Sequence, residues 1–75
     1  MKNSRDGFTS VSSGHIDAVK YNPIDRKLHV RFQNGYVYAV HGLAPEAYQE
    51  FMDASSQGEH YHQVIKDNYH VERVR

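Results

Sequence analysis

Apolar and polar residues alternate cleanly from Leu28 to Gln33: Leu28, Val30 and Phe32 fall on one side, His29, Arg31 and Gln33 on the other. A period of two is that of a strand with one buried face. Tyr36 to His41 continues in β-branched and aromatic residues, and Asn34-Gly35 separates the two runs. Asn-Gly in that position predicts a hairpin closed by a two-residue type I′ turn, which needs positive φ at both central residues. Such a turn places Gln33 opposite Tyr36, Arg31 opposite Tyr38 and His29 opposite Val40. Opposed residues share a side of the sheet. One face is then Leu28, Val30, Phe32, Val37 and Ala39. The other is His29, Arg31, Gln33, Tyr36, Tyr38 and Val40. Both Leu28-Val30-Phe32 and Tyr36-Tyr38-Val40 are apolar enough to be covered by helices.

Val11 to Tyr21 predicts an earlier strand. Its apolar residues Ile16, Val19 and Tyr21 change parity between 16 and 19, which a β-bulge reconciles. Asn22-Pro23 opens a turn that Asp25-Arg26-Lys27 completes. Downstream, Gly42 breaks the third strand and Pro45 suits the first position of a helix. Tyr48, Phe51, Met52 and Ser55 follow at helical spacing with Ala47 beside them, while Glu46, Glu50 and Asp53 point away. Ser56-Gln57-Gly58-Glu59 reads as a capping box. It opens a second helix with Tyr61, Val64, Ile65 and Asn68 inward. Val71 and Val74 then alternate as a short edge strand. The order implies an α+β fold: a three-stranded antiparallel meander followed by two helices packed on one face, closed by a short C-terminal edge strand. Met1 to Ser10 is mostly polar and reads as a flexible tail, leaving 11–75 as the domain.

Composition narrows the function classes. A chain of 75 residues without cysteine makes one domain and excludes disulfides, thiolate metal sites and a cysteine nucleophile. No apolar run is long enough for a signal peptide or a membrane span, so the cytoplasm is the default compartment. Formal net charge is zero, which argues against strong non-specific binding to nucleic acid. The charges are unevenly spread. Residues 1–41 hold six bases against three acids, and residues 42–75 hold three bases against six acids. Acids favour helix starts, and the same bias also describes a basic sheet surface opposite an acidic helical one.

The run from Val11 to Tyr69 resembles the KTSC family. The resemblance rests on Val11-Ser12-Ser13-Gly14-His15-Ile16, then Val19, Tyr21 and Asn22-Pro23, then Leu28-x-Val30-x-Phe32, Gly35, Tyr38, Gly42, Tyr48 and Ala54, and finally Ser56-x-Gly58, Ile65 and Tyr69. Gly14 stands where the family usually has a second serine, and the family's Tyr-x-Tyr is displaced to Tyr36-Val37-Tyr38. Leu43-Ala44-Pro45 moves the usual proline one position along. Domains of this family occur alone in bacteria and phages and at the C-terminus of some lysyl-tRNA synthetases. That placement implies a non-enzymatic module that binds RNA, either transfer RNA or single-stranded RNA.

The residues carry that expectation as follows. Arg31, Tyr36 and Tyr38 share a face in the type I′ register. Aromatic rings on an open sheet stack bases and an arginine pairs with phosphate. His29, Gln33, Lys20 and Lys27 would supply charge and polar contacts. The structural alternative is plain cross-strand packing. The competing functional reading is a protein-interaction module that docks a partner on an edge strand or on the acidic first helix. Six histidines do not suggest a metal site by spacing. His60 and His62 diverge by roughly 200° on a helix, His29 and His41 fall on opposite faces, and His15 and His70 stand alone. No catalytic constellation or phosphate-binding glycine loop emerges, and no cofactor is implied. Ser12 and Ser13 are expected to satisfy backbone groups at a strand start. Tyr48, Phe51, Tyr61, Ile65 and Tyr69 are expected in the core.

Overall fold

The computed structural model describes residues 7–11 and 13–75. Strands β1 (Thr9–Ser10), β2 (Ile16–Asn22), β3 (Lys27–Phe32) and β4 (Val37–His41) come first. Helices α1 (Pro45–Asp53) and α2 (Gln57–His60) follow, and β5 (His70–Arg73) ends the chain. The strands form one antiparallel sheet in the order β1-β2-β3-β4-β5. β1 is an addition to the expected meander: Thr9 and Ser10, assigned above to a tail, pair with Val19 and Ala18. β5 is the expected edge strand, with Val71 opposite Val40. Met1–Asp6 and Ser12 lie outside the described residues.

The parity change in β2 is a bulge, with the register shifting between Ile16 and Ala18. The extra residue, Asp17, accepts a backbone hydrogen bond from Val11 at 3.2 Å. Ile16, Val19 and Tyr21 therefore reach one face. Ser13 Oγ accepts from the His15 and Ile16 amides at 3.2 Å each, which holds the loop entering the strand.

The β3–β4 hairpin departs from the expected register by one residue. Arg31 faces Val37, Val30 faces Tyr38 and His29 faces Ala39. The loop has three residues, Gln33-Asn34-Gly35. The Phe32 amide donates to Tyr36 O and the Gly35 amide to Phe32 O, both at 2.9 Å. Gly35 has φ +93°, and Asn34 is not among the described residues with positive φ. This is a turn ending in a left-handed glycine, the three-residue alternative to type I′. Asn34 instead uses Oδ1 to accept the Tyr36 amide at 3.0 Å. The Gln33 amide donates to His15 O at 2.8 Å, so Gln33 belongs to the β2 side and not to a pair with Tyr36. A one-residue slip exchanges the faces of a strand. Tyr36, Tyr38 and Val40 join Leu28, Val30 and Phe32, whereas Val37 and Ala39 join His29 and Arg31.

The helices cover the first of these faces. Ile16, Val19, Leu28, Val30, Val40, Leu43, Phe51, Tyr61 and Ile65 form the buried core. Pro45 starts α1, and Phe51 is its fully buried residue. Tyr48 stacks on Tyr21 with centroids 4.2 Å apart, and the Tyr21 hydroxyl donates to Leu43 O at 2.6 Å. Ser56 Oγ accepts the Glu59 amide at 3.2 Å, the forward half of the expected capping box. After His60 the helix widens into a π segment, Tyr61–Ile65, with the Lys66 amide donating to Tyr61 O at 2.8 Å. The wider turn points Tyr61 and Ile65 inward together. Val64 and Asn68, expected inside, are exposed instead, and Asn68 Nδ2 caps Val64 O at 2.6 Å. Gly58 is buried because α2 approaches the loop entering β2 closely: a Cβ there would lie 3.1 Å from His15 Nδ1 and 3.3 Å from His15 Cβ. No helix among the described residues is long and apolar enough to cross a membrane.

Gly35→Ala is expected to cost about 1 kcal/mol, because an alanine adopts the left-handed conformation poorly. Urea unfolding checks this: the midpoint falls while the slope m stays constant.

Candidate functional site

The corrected register divides the residues predicted above to act together. Lys20, Lys27, His29 and Arg31 lie on the face away from the helices, by their pairings with one another and with Ala39 and His41. Tyr36 and Tyr38 lie on the helix-bearing face. Arg31 therefore does not sit beside the two tyrosines, because the three-residue loop shifts β4 by one position.

On the open face the bulge aims Asp17 at Arg31, and Arg31 Nε lies 2.9 Å from Asp17 Oδ2. The Arg31 guanidinium also lies 4.5 Å from the centre of the Phe8 ring, and Lys20 Nζ lies 5.9 Å from it. These long side chains roof Ala18, Val37 and Ala39, which are buried although no helix covers them. A shallow depression of about 470 Å³ separates Phe8, Lys20, His29 and Arg31 from Val74 and Arg75. His29 is half-buried beside this cationic group. Its pKa is lowered from the ordinary 6.5, first by burial and then by the charges of Lys27, Lys20 and His41. His29 and His41 share this face, contrary to the expected register.

The helix-bearing face carries a larger groove, about 800 Å³, between the hairpin end, the Gly14–His15 loop and the π segment. Its floor is aromatic. Phe32 meets Tyr38 edge-on at 5.5 Å and Tyr61 at 5.2 Å between centroids. Tyr61 is buried, as expected of a core residue, yet it also lines the groove. Burial, and secondarily the neighbouring Tyr38, raise the Tyr61 pKa above the ordinary 10.0, so its phenol stays neutral at physiological pH. The rim is polar and cationic. His15 and His62 meet edge-on at 6.3 Å, and Lys66, Gln33, Asn34 and His70 also line the groove, with no carboxylate among the lining residues. Tyr36 is 44% exposed at one end. The Arg73 guanidinium stacks 4.3 Å above the Tyr36 ring, a cation–π contact.

The comparisons with known proteins agree with this architecture. The KTSC domain family matches residues 12–69. The chain belongs to the KTSC domain family. This KTSC domain is 32% identical to the crystallised KTSC domain protein of Yersinia pestis, with a TM-score of 0.82 over 91% of this chain and 96% of that one. It is also 30% identical over 61 residues to an uncharacterized protein of Stutzerimonas stutzeri, covering 81% of this chain and 86% of that protein. A protein of Tsukamurella paurometabola is 29% identical over 59 residues, covering 79% and 88% of the two chains.

Of the residues singled out from the sequence, the KTSC fold keeps Tyr36, Tyr38 and Gln33 at the groove and sends Arg31, His29, Lys20 and Lys27 to the opposite face. His15, His62, Lys66 and Arg73 enter the site only in three dimensions, since they come from three separate segments: the loop before β2, the π segment with its C-terminal Lys66, and β5. The signal within reach was Gly35. A single glycine after Asn34 is equally at home in the three-residue loop, and that loop puts Tyr36 and Tyr38 on the helix-bearing face.

The lowered His29 pKa has a definite sign. The unfolded chain takes up the His29 proton first as pH falls, so the His29 contribution to stability is full above 6.5 and is lost as pH drops through the lower folded value. Proton NMR of the imidazole is expected to give a midpoint below 6.5, and His29→Gln is expected to flatten the acid side of the stability profile.

Proposed function

We propose that this KTSC domain is a non-enzymatic binding module that takes a short single-stranded stretch of RNA in the helix-side groove. The observation that carries this reading is the lining: aromatic rings from Phe32, Tyr36, Tyr38, Tyr61 and Tyr69 beside Lys66, without an acidic side chain. Sequence-tolerant recognition of single strands needs ring faces for bases and a few cations for the backbone. Tyr36 supplies the exposed ring, and Arg73 on its other side extends the stack. Lys66 supplies charge at the opposite rim. A neutral chain is compatible with this, because few phosphates are engaged at a time. The open face offers less to a phosphate, since Arg31 is already paired with Asp17.

Amide-shift and fluorescence-anisotropy titrations with short single-stranded RNA, with matched DNA and with transfer RNA test the reading at low and near-physiological salt. Saturable shifts are expected around Tyr36, Tyr38 and Lys66. Tyr36→Ala is expected to weaken binding roughly tenfold, within the range for loss of one stacked base. Lys66→Gln is expected to lower the salt slope by about one, and Arg31→Ala is expected to leave affinity unchanged. Absence of shifts at low salt, or shifts centred on Arg31 and Lys20, sinks the groove reading. Binding of a protein partner that ignores salt would replace it with apolar docking.

A further inference from the structure

The β4–β5 pairing assembles a cluster that no sequence spacing announces. His41 and His70 are direct partners across the two strands, and Glu72, two positions on, sits opposite Ala39. Alternate residues of a strand share a face, so all three side chains project from the open side of the sheet. Glu72 Oε1 lies 3.6 Å from His70 Nε2 and 3.9 Å from His41 Nε2. The two imidazole rings are 5.2 Å apart between centroids. One nitrogen or oxygen from each residue lies within 4.8 Å of the other two. The Glu72 distances are too long for hydrogen bonds. His41 Nε2 is shielded from solvent and has no hydrogen-bond partner. Buried polar nitrogens are rarely left so.

We propose that His41, His70 and Glu72 form a binding site for a divalent transition metal of the zinc class. Two imidazole nitrogens and one carboxylate oxygen are a donor set that zinc accepts. Ligand bonds of about 2.0–2.2 Å in a tetrahedron space the donors roughly 3.4 Å apart. The 3.6 Å contact is nearly there and the 3.9 Å contact must shorten by tenths of an ångström. His70 and Glu72 have 72% and 52% exposed side chains, which gives them room to close. A metal would give His41 Nε2 the partner it lacks. Three protein ligands leave one position for water. Lys27 is the partner of His41 on β3, on the same face of the sheet. His70 and Glu72 fall just past residues 12–69, where the family match ends. His70 also borders the groove, whereas His41 and Glu72 do not line it, and the metal proposal does not rest on the RNA reading.

Titration of the untagged chain with zinc chloride, followed by NMR of the imidazole nitrogens, tests the proposal, with cobalt as an optical probe. Saturable shifts are expected at His41 and His70, together with visible cobalt absorption of a four- or five-coordinate ion. His70→Gln and Glu72→Gln, both at exposed positions, are expected to keep the fold and to weaken binding at least about tenfold. His62→Gln, in the groove, is expected to leave zinc affinity unchanged. No imidazole shifts at millimolar zinc overturns the proposal. Shifts that survive His70→Gln overturn it as well, because the metal then sits elsewhere.

Discussion

Gln33 gives its backbone N–H to His15 across the β2 side, and two residues later Gly35 takes a left-handed conformation to turn the chain. Together these two commitments set the register of β3 against β4. Every residue from Tyr36 to His41 then has its side of the sheet assigned, because a strand has no intermediate orientation. The register carries Tyr38 and Val40 onto the helix side, leaves Val37 and Ala39 under the open-face side chains, and aligns His41 for its partner in β5. The core, the groove and the histidine pair all depend on where one three-residue loop closes.

Packing explains why the loop can hold that register. In the observed alignment Leu28, Val30 and Val40 are fully buried with Ile16 and Val19 against Phe51, Leu43 and Ile65. The alternative alignment would turn Val40 outward and bring Val37 and Ala39, smaller in sum than Tyr38 and Val40, beneath the helices. Burial of the larger residues is worth about 25 cal/mol for each Å² of apolar surface removed from water. No polar or charged residue is buried among the described residues. The Arg31–Asp17 ion pair is partly exposed, and such pairs contribute at most about 1 kcal/mol. Among the described residues, apolar contact and turn geometry carry the core.

Much of the architecture was legible because local signals agreed with the outcome. The parity change between Ile16 and Val19 marked the bulge, Pro45 marked the start of α1, Ser56 marked the cap, and Val71 marked the last strand. The hairpin was misread because Asn34-Gly35 serves two loop lengths, and the deciding hydrogen bond, Gln33 to His15, joins segments that a pattern of periods does not relate. Val64 was misplaced because a π segment breaks the 3.6-residue period on which the inward stripe was drawn. The groove was half legible: Tyr36, Tyr38 and Gln33 were named, but His15, His62 and Lys66 converge only after the helices dock. His41 and His70 lay beyond reach for the same reason, since their proximity is a property of strands separated by both helices.

β5 closes the sheet with four residues, and among the described residues its far side meets no further strand. An unpaired strand edge is a template for another chain. Here the template is short, and His70, Glu72 and Arg73 are three of its four residues. Four residues offer a second sheet few backbone bonds, and polar and charged residues along an edge are among the devices that blunt such pairing. The short, polar strand that completes the fold is therefore a poor template for its growth into a longer sheet.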